Sequence, residues 1–300
     1  MTDIAVISDP LAMSSWSEAA RARKQRIAFV PTMGYLHAGH MALIEEGRRR
    51  ADAVVVSIFV NPTQFGPTED LARYPRDVPG DLEKSARAGA NVAFIPEAAA
   101  MYPAGAQTFV EVRELEKGLC GDRRPGHFVG VATIVLKLFN IVRPHLAVFG
   151  EKDFQQLAVI RQMVSDLDVP VEIVPLATVR EPDGVAMSSR NSYLSPDNRR
   201  RAAALYQGLS AAKALRATGE TRANALVSAA REIIQPRVDS LDYLEIRDAN
   251  TLAPLTTIEG PAVILVAAFI GGTRLIDNLR LRVAPAGIAP PPLPASLPLT

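Results

Sequence analysis

Apolar runs recur along the chain, at Ile27 to Val30, Val54 to Val60, Val92 to Ile95, Leu146 to Phe149 and Val171 to Val174, broken only by Ser57 in the second and Glu172 in the last. Runs of that length with little polar alternation predict strands buried on both faces. Between several of them apolar positions fall at helical spacing instead, over Met41 to Arg50, Asp81 to Ala88 and Phe154 to Ser165. Strand and helix in alternation predict an α/β fold with a parallel sheet and crossover helices. In such sheets a ligand lies beyond the carboxyl ends of the strands, so the residues that follow each run are the first place to look for chemistry.

The pattern changes near residue 186. Ser195 and Pro196 read as the cap and first turn of an Arg- and Ala-rich helix, Arg222 to Ile234 as another, and "LDYLEIRD" and "AVILVAAFI" as strands. These predict a first domain over 1–185 and a smaller α+β domain over 186–283. The remaining segment, 284–300, combines repeated proline with small residues and reads as a disordered, extended tail.

Composition narrows the function classes. With 33 Lys plus Arg against 32 Asp plus Glu, the chain has no global charge to draw it onto nucleic acid or an anionic membrane, so an anion must be held by a local cluster. The longest uncharged apolar run, at 262–270, is far short of the roughly 20 residues of a membrane span. The single cysteine, Cys120, forms no intrachain disulfide, and the N-terminus lacks the order of a signal peptide, which together predict a cytoplasmic protein.

Four clusters carry candidate chemistry. The first is "PTMGYLHAGH" at 31–40, which follows a strand and opens a helix. His37 and His40, at i and i+3, project to one side of a first turn whose free N–H groups point the same way, and Gly34 and Gly39 permit close backbone approach. This arrangement suits phosphate, because a nearby phosphate favours the protonated, donating form of an imidazole whose unperturbed pKa is about 6.5; two capping or surface histidines are the ordinary alternative. Two ligands without Glu or Cys partners make a poor zinc site. The second cluster, "SIFVNPTQFG", offers the uncharged amides of Asn61 and Gln64 after a strand. The third, "VFGEKDFQQL", supplies Gly150 for a turn, Lys152 as a positive charge, Asp153 as a cap or a metal or ribose contact, and Gln156 over the same turn. The fourth, "VREPDGVAMSSRNSYLSP", brings Ser188, Ser189 and Arg190 together as a phosphate clamp. Each has a bland reading alone; three of them fall at strand ends and the fourth at the domain junction.

Taken in order, these segments with "YPRD" and "GHFVGVATIVLKLFNIVRP" closely resemble the pantothenate synthetase family of pantoate–β-alanine ligases, from about residue 26 to 200 and more loosely to 283. The short H-x-G-H element alone is similar only to the wider class of adenylate-forming nucleotidyltransferases. The resemblance implies a Rossmann-like nucleotidyltransferase-type domain in which ATP activates the pantoate carboxylate as pantoyl adenylate, and the β-alanine amine then displaces AMP. It implies ATP contacts along Met33, Gly34, Tyr35, Leu36, His37, Ala38, Gly39 and His40, along Gly150, Glu151, Lys152 and Asp153, at Val179, and along Met187, Ser188, Ser189 and Arg190. His40 would have the acid role, and Gln64 and Gln156 would contact pantoate, with Asn61 beside them. Family members are cytoplasmic homodimers that use magnesium with ATP. Ala38, often acidic in the family, and Thr63, often methionine, are the departures.

Charge supports the same assignment, because a carboxylate attacking an α-phosphate brings two anions together, and His37, His40, Lys152 and Arg190 are the positive or donating groups available. A loop such as Glu181 to Asn191 is placed to close the cleft and keep water from the adenylate. The competing readings are a dinucleotide oxidoreductase, a zinc hydrolase, a nucleotide-binding module without turnover, and nucleotidyl transfer to a phosphorylated acceptor. The first lacks G-x-G-x-x-G after any strand.

Overall fold

The computed structural model describes residues 4–67 and 69–281. The proline-rich segment at 284–300 lies outside the described residues. Six parallel strands form the main sheet: β1 (Ala5–Ile7), β2 (Ile27–Thr32), β3 (Ala53–Ile58), β4 (Val92–Phe94), β5 (Leu146–Gly150) and β6 (Glu172–Leu176), in the spatial order β1-β4-β3-β2-β5-β6. The helices are α1 (Pro10–Ala22), α2 (Ala38–Arg50), α3 (Val78–Arg87), α4 (Ala98–Met101), α5 (Leu119–Arg123), α6 (His127–Val142), α7 (Phe154–Asp166), α8 (Pro196–Ala217) and α9 (Ala223–Ile234). Among the described residues no helix is long and apolar enough to cross a membrane.

The apolar runs of β2 to β5 show little polar alternation because both faces of the sheet are covered there. Ile27, Phe29, Val55, Phe94 and Phe149 share one core with α1, α6 and α7, while Ala28, Val30, Val54, Val56 and Val148 pack on the other side with Leu43 and Ile44 of α2. A Cβ on Gly47 would stand 3.2 Å from Ala28 Cβ, so glycine lets α2 lie close on β2.

The strand pairing also shows where the sheet opens. β2 and β3 stay in register from Ile27 beside Ala53 to Thr32 beside Ile58, whereas β2 and β5 are joined only at Ala28–Leu146 and Phe29–Ala147. Pro31 has no N–H to extend a ladder. The carboxyl ends of β2 and β5 are therefore free to part, at the point where the chain order reverses.

The C-terminal region follows its sequence pattern. Ser195 Oγ accepts the Asn198 N–H at 3.2 Å and Pro196 occupies the first turn of α8. β7 (Ser240–Asp248), β8 (Ala262–Ile270) and β9 (Thr273–Leu281) form an antiparallel sheet in that order. Unlike most antiparallel strands, β8 has no polar face. Val263, Leu265 and Ala267 join the main-sheet core, and Ala262, Ile264, Val266, Ala268 and Ile270 pack in a second core with α8 and α9. The division near residue 185 falls in the loop between β6 and α8, yet the two sheets share a core.

Candidate active site

The loop from β2 to α2 turns sharply, with Gly34 at φ +85° and Tyr35 at φ +51°. Its backbone is anchored on both sides. Thr32 Oγ1 accepts the Gly34 N–H at 3.1 Å and donates to Ser57 O at 2.7 Å. Asp81, buried in α3, accepts the N–H groups of Tyr35 at 2.8 Å and Leu36 at 2.6 Å. Burial raises the Asp81 pKa, opposed by these two N–H donors.

His37 is the N-cap of α2. Its Nδ1 accepts the Gly39 N–H at 3.1 Å, and Nδ1 of His40 accepts the His37 N–H at 3.3 Å, a capping box made of two histidines. The rings stack with centroids 4.1 Å apart. Because each Nδ1 is an acceptor, each neutral ring carries its proton on Nε2, the edge left for the cavity. Burial, helped by Lys152, lowers the His37 pKa to about 4. Burial and then His37 itself hold His40 well below the ordinary imidazole value. In the protein by itself burial and Lys152 favour the neutral rings, each a donor through Nε2–H, and the protonated form would need the charge of a phosphate beside them. The capping reading of the pair is the one the geometry shows, and it leaves both Nε2 atoms outside the cap.

The parted ends of β2 and β5 open onto a cavity of about 220 Å³. Its lining includes Met33, His37, Gly39 and His40 from the first cluster, Asn61 and Gln64 from the second, and Gly150, Lys152, Asp153 and Gln156 from the third. Val179, Met187, Ser188, Ser189 and Arg190 also line it, as do apolar side chains of β2, β5 and α6. The other candidates do not line it. Gly34 and Tyr35 make the turn, Leu36 is buried in the core, Ala38 is the first residue of α2, and Glu151 faces β9, where it pairs with Arg280 at 2.7 Å. The fourth cluster is tied to the first by Ser189 Oγ, which donates to Tyr35 O at 3.1 Å.

Partners both near and far along the chain hold these groups in place. Asn61, buried, donates to Gln64 Oε1 and Gly130 O, both at 3.1 Å, and accepts from Tyr102 at 2.8 Å, so its amide is fully engaged. The Gln64 carbonyl accepts from His127 Nδ1 at 2.9 Å, which leaves His127 Nε2 to accept from Arg124 at 3.0 Å. Arg124 in turn pairs with Glu69 at 2.6 Å. Burial and Arg124 lower the His127 pKa to about 4. Arg190 is not a free cation: Asp70 holds it in a bidentate pair at 2.9 and 3.0 Å. Lys152 lies 3.6 Å from Asp153. Arg123 turns away to Asp242, in an adjoining cleft of about 710 Å³.

No group of three or more His, Cys, Asp or Glu side chains with metal-binding geometry occurs among the described residues. Asp153 is the one acid lining the smaller cavity among them. A helix N-terminus, neutral imidazole donors, a lysine and an arginine around an amide-lined pocket, at the switch point of a parallel sheet, define a nucleotide-binding α/β site able to hold a phosphate chain beside a small polar molecule.

Comparison with known proteins gives the particular family. Residues 5–280 match the family model described as pantoate-beta-alanine ligase, and the chain belongs to that family. It is 55% identical over 280 residues to the pantothenate synthetase of Myxococcus xanthus, covering 92% of this chain and 96% of that one. It is 54% identical to the enzyme of Syntrophotalea carbinolica, covering 91% and 97%. The crystal structure of pantothenate synthetase from Thermus thermophilus superposes with a TM-score of 0.88 at 44% identity, over 93% of this chain and 100% of that one. The pantoate-beta-alanine ligase of Francisella tularensis, solved with beta-gamma ATP and β-alanine, gives a TM-score of 0.78 at 33% identity, over 92% and 97%.

Proposed function

We propose that this chain condenses pantoate with β-alanine, using ATP and releasing AMP and pyrophosphate, with the smaller cavity as the place of both steps. The observation that carries this reading is the convergence of the α2 N-terminus, Lys152, Gln64 and Gln156 on that one cavity. In the first step a pantoate carboxylate oxygen forms a bond to the α-phosphorus and the bond to pyrophosphate breaks. Negative charge gathers on the phosphorus oxygens and on the departing group, where the Nε2–H groups of His37 and His40, the positive end of the α2 dipole and Lys152 are available to receive it. Neutral donors suit this step, since they stabilise the charge that develops without binding the ground-state triphosphate as a strong ion pair.

Gln64 and Gln156 hold the pantoate, and Gln64 is itself fixed by Asn61 at its side chain and by His127 at its carbonyl. In the second step the β-alanine nitrogen bonds to the acyl carbon, the bond to AMP breaks, and the amine loses a proton. Ser188, Ser189, Arg190, Met187 and Val179 line the nucleotide side, and Arg190 exchanges Asp70 for phosphate as ATP enters. Magnesium fits the donor set as an ion brought in by the nucleotide, with Asp153 as its protein ligand, and would supply charge neutralisation on the phosphates. A cytoplasmic homodimer is the expected form, and sedimentation velocity tests the dimer.

Incubating the protein with Mg-ATP, pantoate and β-alanine should yield pantothenate and AMP. Pantoate alone should support exchange of labelled pyrophosphate into ATP. Exchange that ignores pantoate, or AMP formed without pantothenate, would reject the reading.

A further inference from the structure

Two loops frame the nucleotide side of the cavity, one at 150–153 and one at 177–187, and both are held by a single dipeptide of the C-terminal sheet. Successive strand residues point to opposite faces, and β9 uses this. Asn278 pairs in register with Leu265 and Asp277 with Val266, which belong to the two different cores. On the main-sheet side, the Asn278 Nδ2 donates to Glu151 O and to Lys152 O, both at 2.9 Å, using both of its protons. Two residues on along the same face, Arg280 pairs with Glu151 at 2.7 Å and lies 4.8 Å over the Phe154 ring.

On the other face, Asp277 grips Arg180 at 2.7 and 2.9 Å. Arg180 also donates to Gly184 O at 3.0 Å and stacks at 4.1 Å on Tyr206 of α8. It directly follows Val179, whose carbonyl accepts the Met187 N–H at 3.0 Å. Asp277 and Asn278 are 3% and 5% exposed; neither lines the smaller cavity, and only Asp277 reaches the adjoining cleft.

We propose that Asp277 and Asn278 are positioning residues for the nucleotide, through which the C-terminal sheet sets the placement of Lys152 and of the Val179 loop. This rests on the reading that Lys152 and Val179 meet ATP. Buried side chains that satisfy loop carbonyls remove alternative loop conformations, and misplacement of a reacting group by about 1 Å can cost roughly 100-fold in rate.

The test is Asn278→Asp, which keeps the shape of the side chain and replaces its two donors with acceptors facing two carbonyls. In pyrophosphate exchange, kcat/KM for ATP should fall by about 10- to 100-fold. Ile264→Val, in the second core and away from both loops, should lower Tm and leave the ATP dependence at its parental value. Asn278→Asp added to Lys152→Ala should lose most of its effect, because the two act through one group. A parental ATP dependence in Asn278→Asp, or an effect of full size in the Lys152→Ala background, overturns the inference and leaves the proposed function standing. Normal exchange in Lys152→Ala alone would overturn both. Should Asn278→Asp not fold, Asn278→Ser retains one donor: an ATP KM raised above the parental value supports the inference, and a parental KM overturns it.

Discussion

Replacing His40 by Ala separates two roles that the imidazole combines. Its Nδ1 accepts the His37 N–H at 3.3 Å, a long capping bond, and removing it should cost about 0.5–1 kcal/mol of stability, visible as a small drop in Tm. The Nε2 edge faces the cavity, and loss of a donor to the charge that develops there should cost about 2.7–4 kcal/mol, or roughly 100- to 1,000-fold in pantoyl-adenylate formation. Pantoate-dependent pyrophosphate exchange isolates that step, and ATP affinity should fall much less than the rate. His40→Gln places a neutral amide donor near the lost Nε2–H, so it should recover part of the exchange rate. Because the protein holds His40 well below the usual imidazole pKa, the neutral form should be the active one, with exchange sustained from pH 6.5 to 8. Normal exchange in His40→Ala would remove the residue from the activation step. A rate that falls through pH 6.5–7.5, with His40→Gln no better than His40→Ala, would show that a charged imidazole is required instead.

Gln64→Ala and Gln156→Ala should each raise the pantoate KM, by the roughly 0.5–3 kcal/mol of a lost buried hydrogen bond; unchanged pantoate kinetics in both would place the pocket elsewhere. Folded His127 titrates near 4 against 6.5 for the free side chain, so the unfolded chain binds more protons between those values and stability should rise with pH across that window and level off above it. This residue accounts for at most about 3 kcal/mol of that change, and chemical denaturation of His127→Gln should show a flatter acid limb. Gly34→Ala forces a side chain into φ +85° with its Cβ 3.0 Å from Asp81 Oδ2, and should cost about 1–2 kcal/mol together with most of the exchange activity, while circular dichroism at 25 °C stays native.

Four strands of the main sheet, β2 to β5, were legible because burial on both faces leaves an apolar run, as in Val54 to Val56. β6, an edge strand with Glu172 and Pro175 exposed, is not buried on both faces and showed only as Val171, Ile173 and Val174 around that glutamate. β1 was not legible: three residues at the sheet edge, with Ala5 and Val6 exposed, leave no periodic signal. α6 reads as an unbroken apolar stretch because most of its circumference is covered, and spacing alone does not distinguish that from a strand. The cavity residues were legible since they follow strand ends, where topology concentrates ligand contacts. Their supports were not. Asp81 lies 46 and 45 residues from the N–H groups it accepts, Asp70 is 120 from Arg190, and Asn278 is 126 from Lys152, distances at which no sequence periodicity operates. The lowering of the His37 pKa was not legible for a related reason: its causes are burial and Lys152, brought in from another strand end.

The doubly covered strand β8 has a consequence for biosynthesis. "AVILVAAFI" is uncharged, rich in β-branched residues and free of proline, the composition of a segment that self-associates when exposed. Its neighbours carry charge, with Asp242, Glu245 and Arg247 on β7 and Arg274, Asp277 and Arg280 on β9, which discourages stacking of a bare hairpin with another copy. Its place near the end of the chain matters more. When residues 262–270 leave the ribosome, every strand of the main sheet and both α8 and α9 have already been synthesised, so the two surfaces that cover β8 are available as soon as it emerges. Permuting the chain so that β8 is made early should therefore lower soluble yield, even if the finished protein were equally stable.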